Sequence, residues 1–175
     1  AKSVLHRPIK DVSGLLRDIE VYSANLHLTC LLMYGCLLRP HQEIRLLTWN
    51  DINTQKHLIS LSGGQNKSGR NRVVPIPEFV RGMLYARLTN IRSINLLSGS
   101  EKAFNSDYIK TLWTRYKSQS KLLTEGQTLY SLRHTAAIRV YEKSKSVFTV
   151  QKVMGHADVT TTLSYLRGLE IESVD

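Results

Sequence analysis

The chain has 175 residues, 42% of them hydrophobic, and its 24 Lys and Arg against 14 Asp and Glu give a formal charge of +10. That length and apolar content suit a single hydrophobic core, and the basic residues are spread along the whole chain, which excludes a basic tail on a neutral body. The cationic surplus points to a polyanionic partner, nucleic acid being the commonest.

The opening, AKSVLHRPIK, has no apolar signal segment, and the longest apolar run is too short to span a membrane. The first twelve residues read as an irregular lead-in around Pro8, after which Ser13 can cap a helix through Tyr22. Asn25 then precedes HLTCLLMYGCLL, apolar almost all round and so expected to be a buried helix, with Gly35 allowing close packing. The two cysteines, Cys30 and Cys36, lie in this run on different faces of the helix, where they cannot pair. They read as reduced core residues, which fits a cytoplasmic location.

Pro40 ends that helix at Arg39 and suits the start of another over His41–Trp49, with Ile44 and Leu47 as its buried face. Asp51–Asn53 turns the chain into two short strands, Leu58–Leu61 and Arg72–Ile76, and Pro75 and Pro77 place the second at a sheet edge. The hairpin tip between them carries Lys67, Arg70 and Arg72 with no acid among them.

Glu78 opens a helix to about Asn90, with Val80, Leu84 and Ile91 at helical spacing, and a Ser-, Asn- and Gly-rich loop fills 92–106. Ser106 or Asp107 caps a helix bearing Tyr108, Leu112, Trp113 and Tyr116, which Glu125-Gly126 breaks. Ser131 starts the next, with Leu132, Ala136 and Val140 on one face. Thr149 caps a short helix ending at Gly155, and Asp158 caps a last one with Val159, Leu163 and Leu166 inward. The expected class is mainly α with a small antiparallel β-sheet.

Chemistry concentrates in Leu129–Leu166. Arg133 follows a helix start, where free N–H groups and the helix dipole favour phosphate; the structural alternative is a surface Arg beside a satisfied His134. His156 after Gly155 is a second candidate, or only part of a helix C-cap, and Tyr165 nine residues later is a nucleophile or a packing residue. Lys67 can be a solvated edge charge, and Arg39 can cap the buried helix's C-terminus. His134 and His156 lack nearby Cys partners and HxxxH spacing, GGQNKSG lacks the GKS/T ending of a P-loop, and no G-x-S-x-G is present. Phosphoryl chemistry here would depend on Arg, Lys, His and Tyr, with no metal and no cofactor.

Taken in order, these residues resemble the tyrosine recombinase (integrase) family, over nearly the whole chain as its catalytic domain. LRPHQEIRLLTWNDI looks like the family's first box, an Arg followed by a Glu and a Leu-x-Trp-x-Asp stretch. QNKSGRNRVVPIP is similar to the hairpin that carries the catalytic Lys, YSLRHT to the second box, and VMGHADVTTTLSYL to the last box, Gly-His followed nine residues on by Tyr.

The resemblance implies the tyrosine recombinase catalytic-domain fold and a metal-independent DNA breaking-rejoining enzyme. Tyr165 would attack a DNA phosphodiester, leaving a 3′-phosphotyrosyl link and a 5′-hydroxyl. Arg39 and Arg133 would clamp the non-bridging oxygens, Lys67 would protonate the departing 5′-oxygen, and His156 would bond the phosphate. Two departures accompany it. Glu43 lies four residues after Arg39 where the family usually has three, so Arg45 is the alternative first-box Arg. Tyr130 stands where the second box usually has His, and is expected to serve as a hydrogen-bond donor to the phosphate.

The family's usual N-terminal DNA-closing domain has no counterpart in residues 1–175, which are expected to be an excised catalytic domain. Implied partners are double-stranded DNA and, in the full-length protein, three further protomers in a tetramer, with the tail 168–175 packing against a neighbour. The implied role is site-specific recombination for a phage or other mobile element. The alternatives are type IB topoisomerase-like breaking and rejoining, and an inactive DNA-binding relative that would have lost Tyr165 or Arg133.

Overall fold

The structure is a computed structural model that describes residues 6–62, 71–156 and 158–166. Helix α1 (Val12–Tyr22) is capped by Asp11, two residues before the expected Ser13, its carboxylate accepting from the Gly14 N–H at 3.0 Å. A charged acceptor at this position satisfies a first-turn donor that has no partner within the helix. Ser23 ends α1 and caps α2 (Ala24–Cys36) through its hydroxyl.

The nearly uniform apolar sequence of α2 makes it the axis of the molecule, with Leu26 through Met33 all buried. Cys30 and Cys36 are free and buried in it, and burial pushes the Cys36 thiol up to about 12. Gly35 does permit close packing: a Cβ there would lie 2.6 Å from Val80 Cγ2.

The helix expected over His41–Trp49 is replaced by a turn and two single turns of 3₁₀-helix, Ile44–Leu46 and Trp49–Asp51. The reason is local. The Arg39 carbonyl accepts from both Glu43 and Ile44 N–H groups, at 3.2 and 2.9 Å, while the Glu43 carboxylate takes the Arg39 N–H at 2.7 Å. Bonding closes on Arg39 and Pro40 instead of propagating, and the bonds donated by Leu46 and Leu47 are of the tighter i→i+3 kind. Ile44 and Leu47 are buried nonetheless.

Strands β1 (Ile52–Asn53), β2 (Leu58–Leu61) and β3 (Arg72–Pro75) form an antiparallel sheet in that order, with Ile59 opposite Ile52 and Val74. β3 is at the edge of the described sheet, as Pro75 requires. Strand alternation turns Arg72 and Val74 inward and leaves Val73 outward, 59% exposed. The hairpin tip, with Lys67 and Arg70, lies outside the described residues.

Helix α3 (Glu78–Tyr85) stops short of Asn90, so Ile91 does not continue the buried face of Val80 and Leu84 and is 57% exposed. Helix α4 (Tyr108–Gln119) buries Ile109, Trp113 and Tyr116, and the Tyr116 hydroxyl donates to Asp18 of α1 at 2.6 Å. Helix α5 (Tyr130–Ser144) packs on α2, α6 (Val147–Met154) on α5, and α7 (Val159–Tyr165) on α6. α6 begins earlier than expected because Ser146, whose hydroxyl accepts from Thr149 N–H, is its cap.

Asp158 caps α7 as predicted, but the helix is rotated from its expected setting. Thr162 and Leu166 face inward, while Val159 and Leu163 are exposed. A hydrogen bond of 2.9 Å between the Thr162 hydroxyl and buried His156 decides this orientation over the apolar stripe.

The architecture is mainly helical with one three-stranded antiparallel sheet, the class expected. One large core surrounds α2, and a smaller one gathers Leu37, Ala136, Ala137, Val150, Met154 and Leu166. No helix among the described residues is long and apolar enough to cross a membrane.

Candidate active site

Where α2 ends, Leu37 takes the left-handed conformation at φ 55°, a setting usually left to glycine. Its carbonyl accepts from Arg133 Nε at 2.8 Å and from Arg72 Nη2 at 3.2 Å. Arg133 Nη2 also donates to the Met154 carbonyl at the end of α6, 2.8 Å away. The guanidinium thus lies between the carbonyl ends of two helices, where their dipoles favour a cation. Arg133 is only 1% exposed, so it is no surface arginine. The cap over α2 is supplied by Arg133 and Arg72 rather than by Arg39.

Arg39, Glu43 and Arg72 are buried beside it. Arg72 Nη1 pairs with Glu43 Oε2 at 2.8 Å, whereas Arg39 Nη1 stays 3.9 Å from the same oxygen. That Arg39 nitrogen is buried without a hydrogen-bond partner among the described residues. Burial draws the Arg72 pKa below its ordinary value, Glu43 draws it back up, and Arg39 lowers it further.

His156 is buried against these cations, its Nδ1 sharing a hydrogen bond with Thr162. Burial, then Arg133, Arg39 and Arg72, push its pKa down to about 4, with Asp158 opposing. Near neutral pH the ring is therefore uncharged. Gly155, which ends α6 at φ 72°, is needed twice: a Cβ there would also meet Arg72 Cδ at 2.7 Å.

The structure accordingly brings Arg39, Arg133 and His156 of the sequence-predicted set together. Arg45 is engaged elsewhere, donating to the carbonyls of His41 at 3.1 Å and Phe104 at 2.7 Å. Tyr130, on the first turn of α5, shares a helix face with Arg133 and lies between the rings of His6 and His41, at 5.5 and 6.3 Å. With His41, Lys110, Trp113, Lys117 and Thr128 it lines a cavity of about 520 Å³. Tyr165 is the last residue of α7; its side chain, like Lys67, lies outside what is described.

Two participants escape a reading by motif. Arg72 looks like one more charge at a hairpin tip, and only the inward alternation of Arg72 and Val74 on an edge strand could have singled it out. Thr162 carries no signal beyond its spacing from His156.

Three buried guanidinium groups beside one buried carboxylate, which only Arg39 and Arg72 face, leave a buried excess of positive charge, an arrangement that favours an incoming oxyanion. Fold and site together define a helical domain with a preformed cationic receptor. A family model described as the phage integrase family matches residues 9–170. The tyrosine recombinase XerA of Pyrococcus furiosus is 30% identical over 162 residues, 90% of this chain and 55% of the relative. Among solved structures, a lambda integrase dimer bound to a COC′ core site has the same fold, with a TM-score of 0.73 at 20% identity over 100% of this chain and 65% of that one. The Tn1549 transposon integrase in complex with a circular intermediate DNA gives 0.72 at 19% identity over 94% and 62%. The chain belongs to the phage integrase family. It spans about half the length of the curated relatives it matches.

Proposed function

We propose that this chain is the catalytic domain of a site-specific DNA recombinase that cleaves and rejoins strands through a 3′-phosphotyrosine. The observation that carries the reading is the buried, incompletely neutralised arginine cluster around neutral His156. A transferring phosphoryl group accumulates charge on its non-bridging oxygens, and preorganised donors stabilise that charge without reorganising.

Tyr165 is the nucleophile. Its oxygen forms a bond to phosphorus, the bond to the 5′-oxygen breaks, and Lys67 delivers a proton to that leaving oxygen. Arg39 and Arg133 hold the two non-bridging oxygens, Arg39 being preferred to Arg45 because Arg39 lies beside Glu43 and His156 whereas Arg45 is turned to His41 and Phe104. His156, being uncharged, acts as a hydrogen-bonding group, and Tyr130 donates its hydroxyl to the phosphate. A phenol has a pKa of about 10, so the surrounding cations must favour its phenolate. Attack by a partner strand's 5′-hydroxyl on the phosphotyrosine reverses the step and keeps the bond energy.

The partner is duplex DNA, consistent with the +10 charge, and the full-length protein works as a tetramer on two duplexes for a mobile element or phage. The Tn1549 and lambda likenesses support that role. Binding by this chain is expected to be weak, largely non-specific and steeply salt-dependent.

A nicked suicide duplex tests the chemistry. A covalent protein–DNA adduct is expected from the parent chain and none from Tyr165→Phe; an adduct that survives in Tyr165→Phe would sink the assignment. Tyr130→Phe should bind DNA normally and lose cleavage, and unchanged cleavage would remove Tyr130 from the site. Exchange between two duplexes, rather than resealing of one, separates a recombinase from a topoisomerase.

A further inference from the structure

Two arginines face the Glu43 carboxylate, and they do so unequally. Arg72 reaches it with both terminal nitrogens, Nη1 to Oε2 at 2.8 Å and Nη2 to Oε1 at 3.4 Å. The Arg39 guanidinium stays 3.9 Å away, and its Nη1 is a buried donor with no partner among the described residues. Glu43 still fixes Arg39 by another route, since Oε1 accepts the Arg39 backbone N–H at 2.7 Å. One carboxylate therefore anchors the main chain of Arg39 while its charge is matched by Arg72.

We propose that Arg72 is a positioning residue for the phosphate site: by saturating Glu43 it keeps the Arg39 guanidinium out of hydrogen bonding with that carboxylate and leaves its Nη1 available to an incoming oxyanion. The proposal rests on the phosphoryl-transfer reading above, which gives Arg39 its phosphate. Packing alone does not account for Arg72. A third buried guanidinium beside Arg39 adds like-charge repulsion, and an apolar side chain of similar volume would fill the space with less desolvation. The fold also makes specific room for it. β3 turns Arg72 inward from an edge strand, and Gly155 leaves the gap through which its chain passes, a Cβ there standing 2.7 Å from Arg72 Cδ. Remove the Arg72 charge and the nearest cation to Glu43 is Arg39, which would then close on the carboxylate instead of on phosphate.

The test is a double-mutant cycle on the parent chain, Arg72→Met, Glu43→Gln and the double variant, with thermal unfolding confirming that each is folded. Two quantities are read: the rate of adduct formation on a nicked suicide duplex and the dissociation constant for orthovanadate. Arg72→Met should weaken both by about tenfold or more, and adding Glu43→Gln should recover most of that loss, a coupling on the order of tenfold. A residue that only filled space would not be rescued by neutralising its neighbour. A double variant no better than Arg72→Met, or parent-like vanadate binding in Arg72→Met, overturns the proposal. Should Arg72→Met not fold, Arg72→Lys decides: it keeps a charge against Glu43, so vanadate affinity should stay within about threefold of the parent, and a loss of about tenfold overturns the proposal. A parent chain that binds vanadate but forms no adduct refutes strand transfer and leaves the vanadate cycle to judge Arg72. A parent chain that does not bind vanadate removes the site and the proposal with it.

Discussion

Arg39 with Glu43, Arg72 and Arg133 come from three separate stretches of the chain, and hydrogen bonds to a carboxylate and to helix-terminal carbonyls gather them into one buried group. The seven-residue helix α7, which ends on Tyr165, is held differently. Among the described residues Thr162 and Leu166 are its buried positions, Val159 and Leu163 face outward, and the core beneath it has six buried residues against the larger one around α2. On the proposed reading, the contrast separates two needs of a strand-transfer site. Charge stabilisation works best when its donors are fixed in advance. An element with few buried apolar contacts opens at lower free energy, which suits the group that must approach and leave phosphorus.

The largest effect should come from cutting the fixed part. Arg133→Ala should lower adduct formation on the order of 10³-fold, measured on the nicked duplex. It should also reduce stability, because the Leu37 and Met154 carbonyls lose a buried donor.

Glu43→Leu leaves Arg72 and Arg39 buried without a counter-charge and should destabilise by roughly 3–5 kcal/mol, a fall in Tm on the order of 10 °C. Leu163→Ser on the exposed face of α7 should stay within about 0.5 kcal/mol, and equal losses in the two variants would erase the contrast.

Thr162→Val cuts a buried hydrogen bond between α7 and His156 and should cost about 1–3 kcal/mol in urea unfolding. His156 itself gives the site an acid sensitivity. Its folded pKa of about 4 lies below the ordinary 6.5, so an unfolded chain takes up a proton there that the folded chain refuses. The stability linked to His156 is complete above about 6.5 and is lost as pH falls towards about 4. His156→Gln should flatten that part of the unfolding profile.

The smallest expected change is a gain. Lys145, at the joint between α5 and α6, is exposed at φ 55°, so Lys145→Gly should stabilise by about 1 kcal/mol in thermal unfolding.

The sequence made the helical class legible, along with the cap at Asp158 and the edge position of the proline-bearing strand, since each follows from local chemistry. Arg39, Arg133 and His156 were legible because their types and order resemble a family's motifs. What escaped was decided at long range. A helix over His41–Trp49 fits the local pattern, but Glu43 is drawn into a buried pairing with Arg72, twenty-nine residues on, and captures the Arg39 N–H. The apolar stripe of α7 places Leu166 correctly but not Val159 and Leu163, because one hydrogen bond to His156 turns Thr162 inward in their place. Arg72 escaped for the same reason: strand charges next to a hairpin tip ordinarily stay in water, and only its partners show otherwise.

Leu37 belongs to both halves of the molecule at once. Its side chain is buried in the small core with Ala136, Met154 and Leu166, under α7, while its carbonyl is gripped by Arg72 and Arg133. A residue anchored in this way acts as a fulcrum: displacement of the side chain tilts the peptide plane that orients two guanidinium groups. Glycine would relieve the left-handed backbone but would have no arm reaching into the small core, so the strained backbone at Leu37 is what joins the packing beneath α7 to the two guanidinium groups.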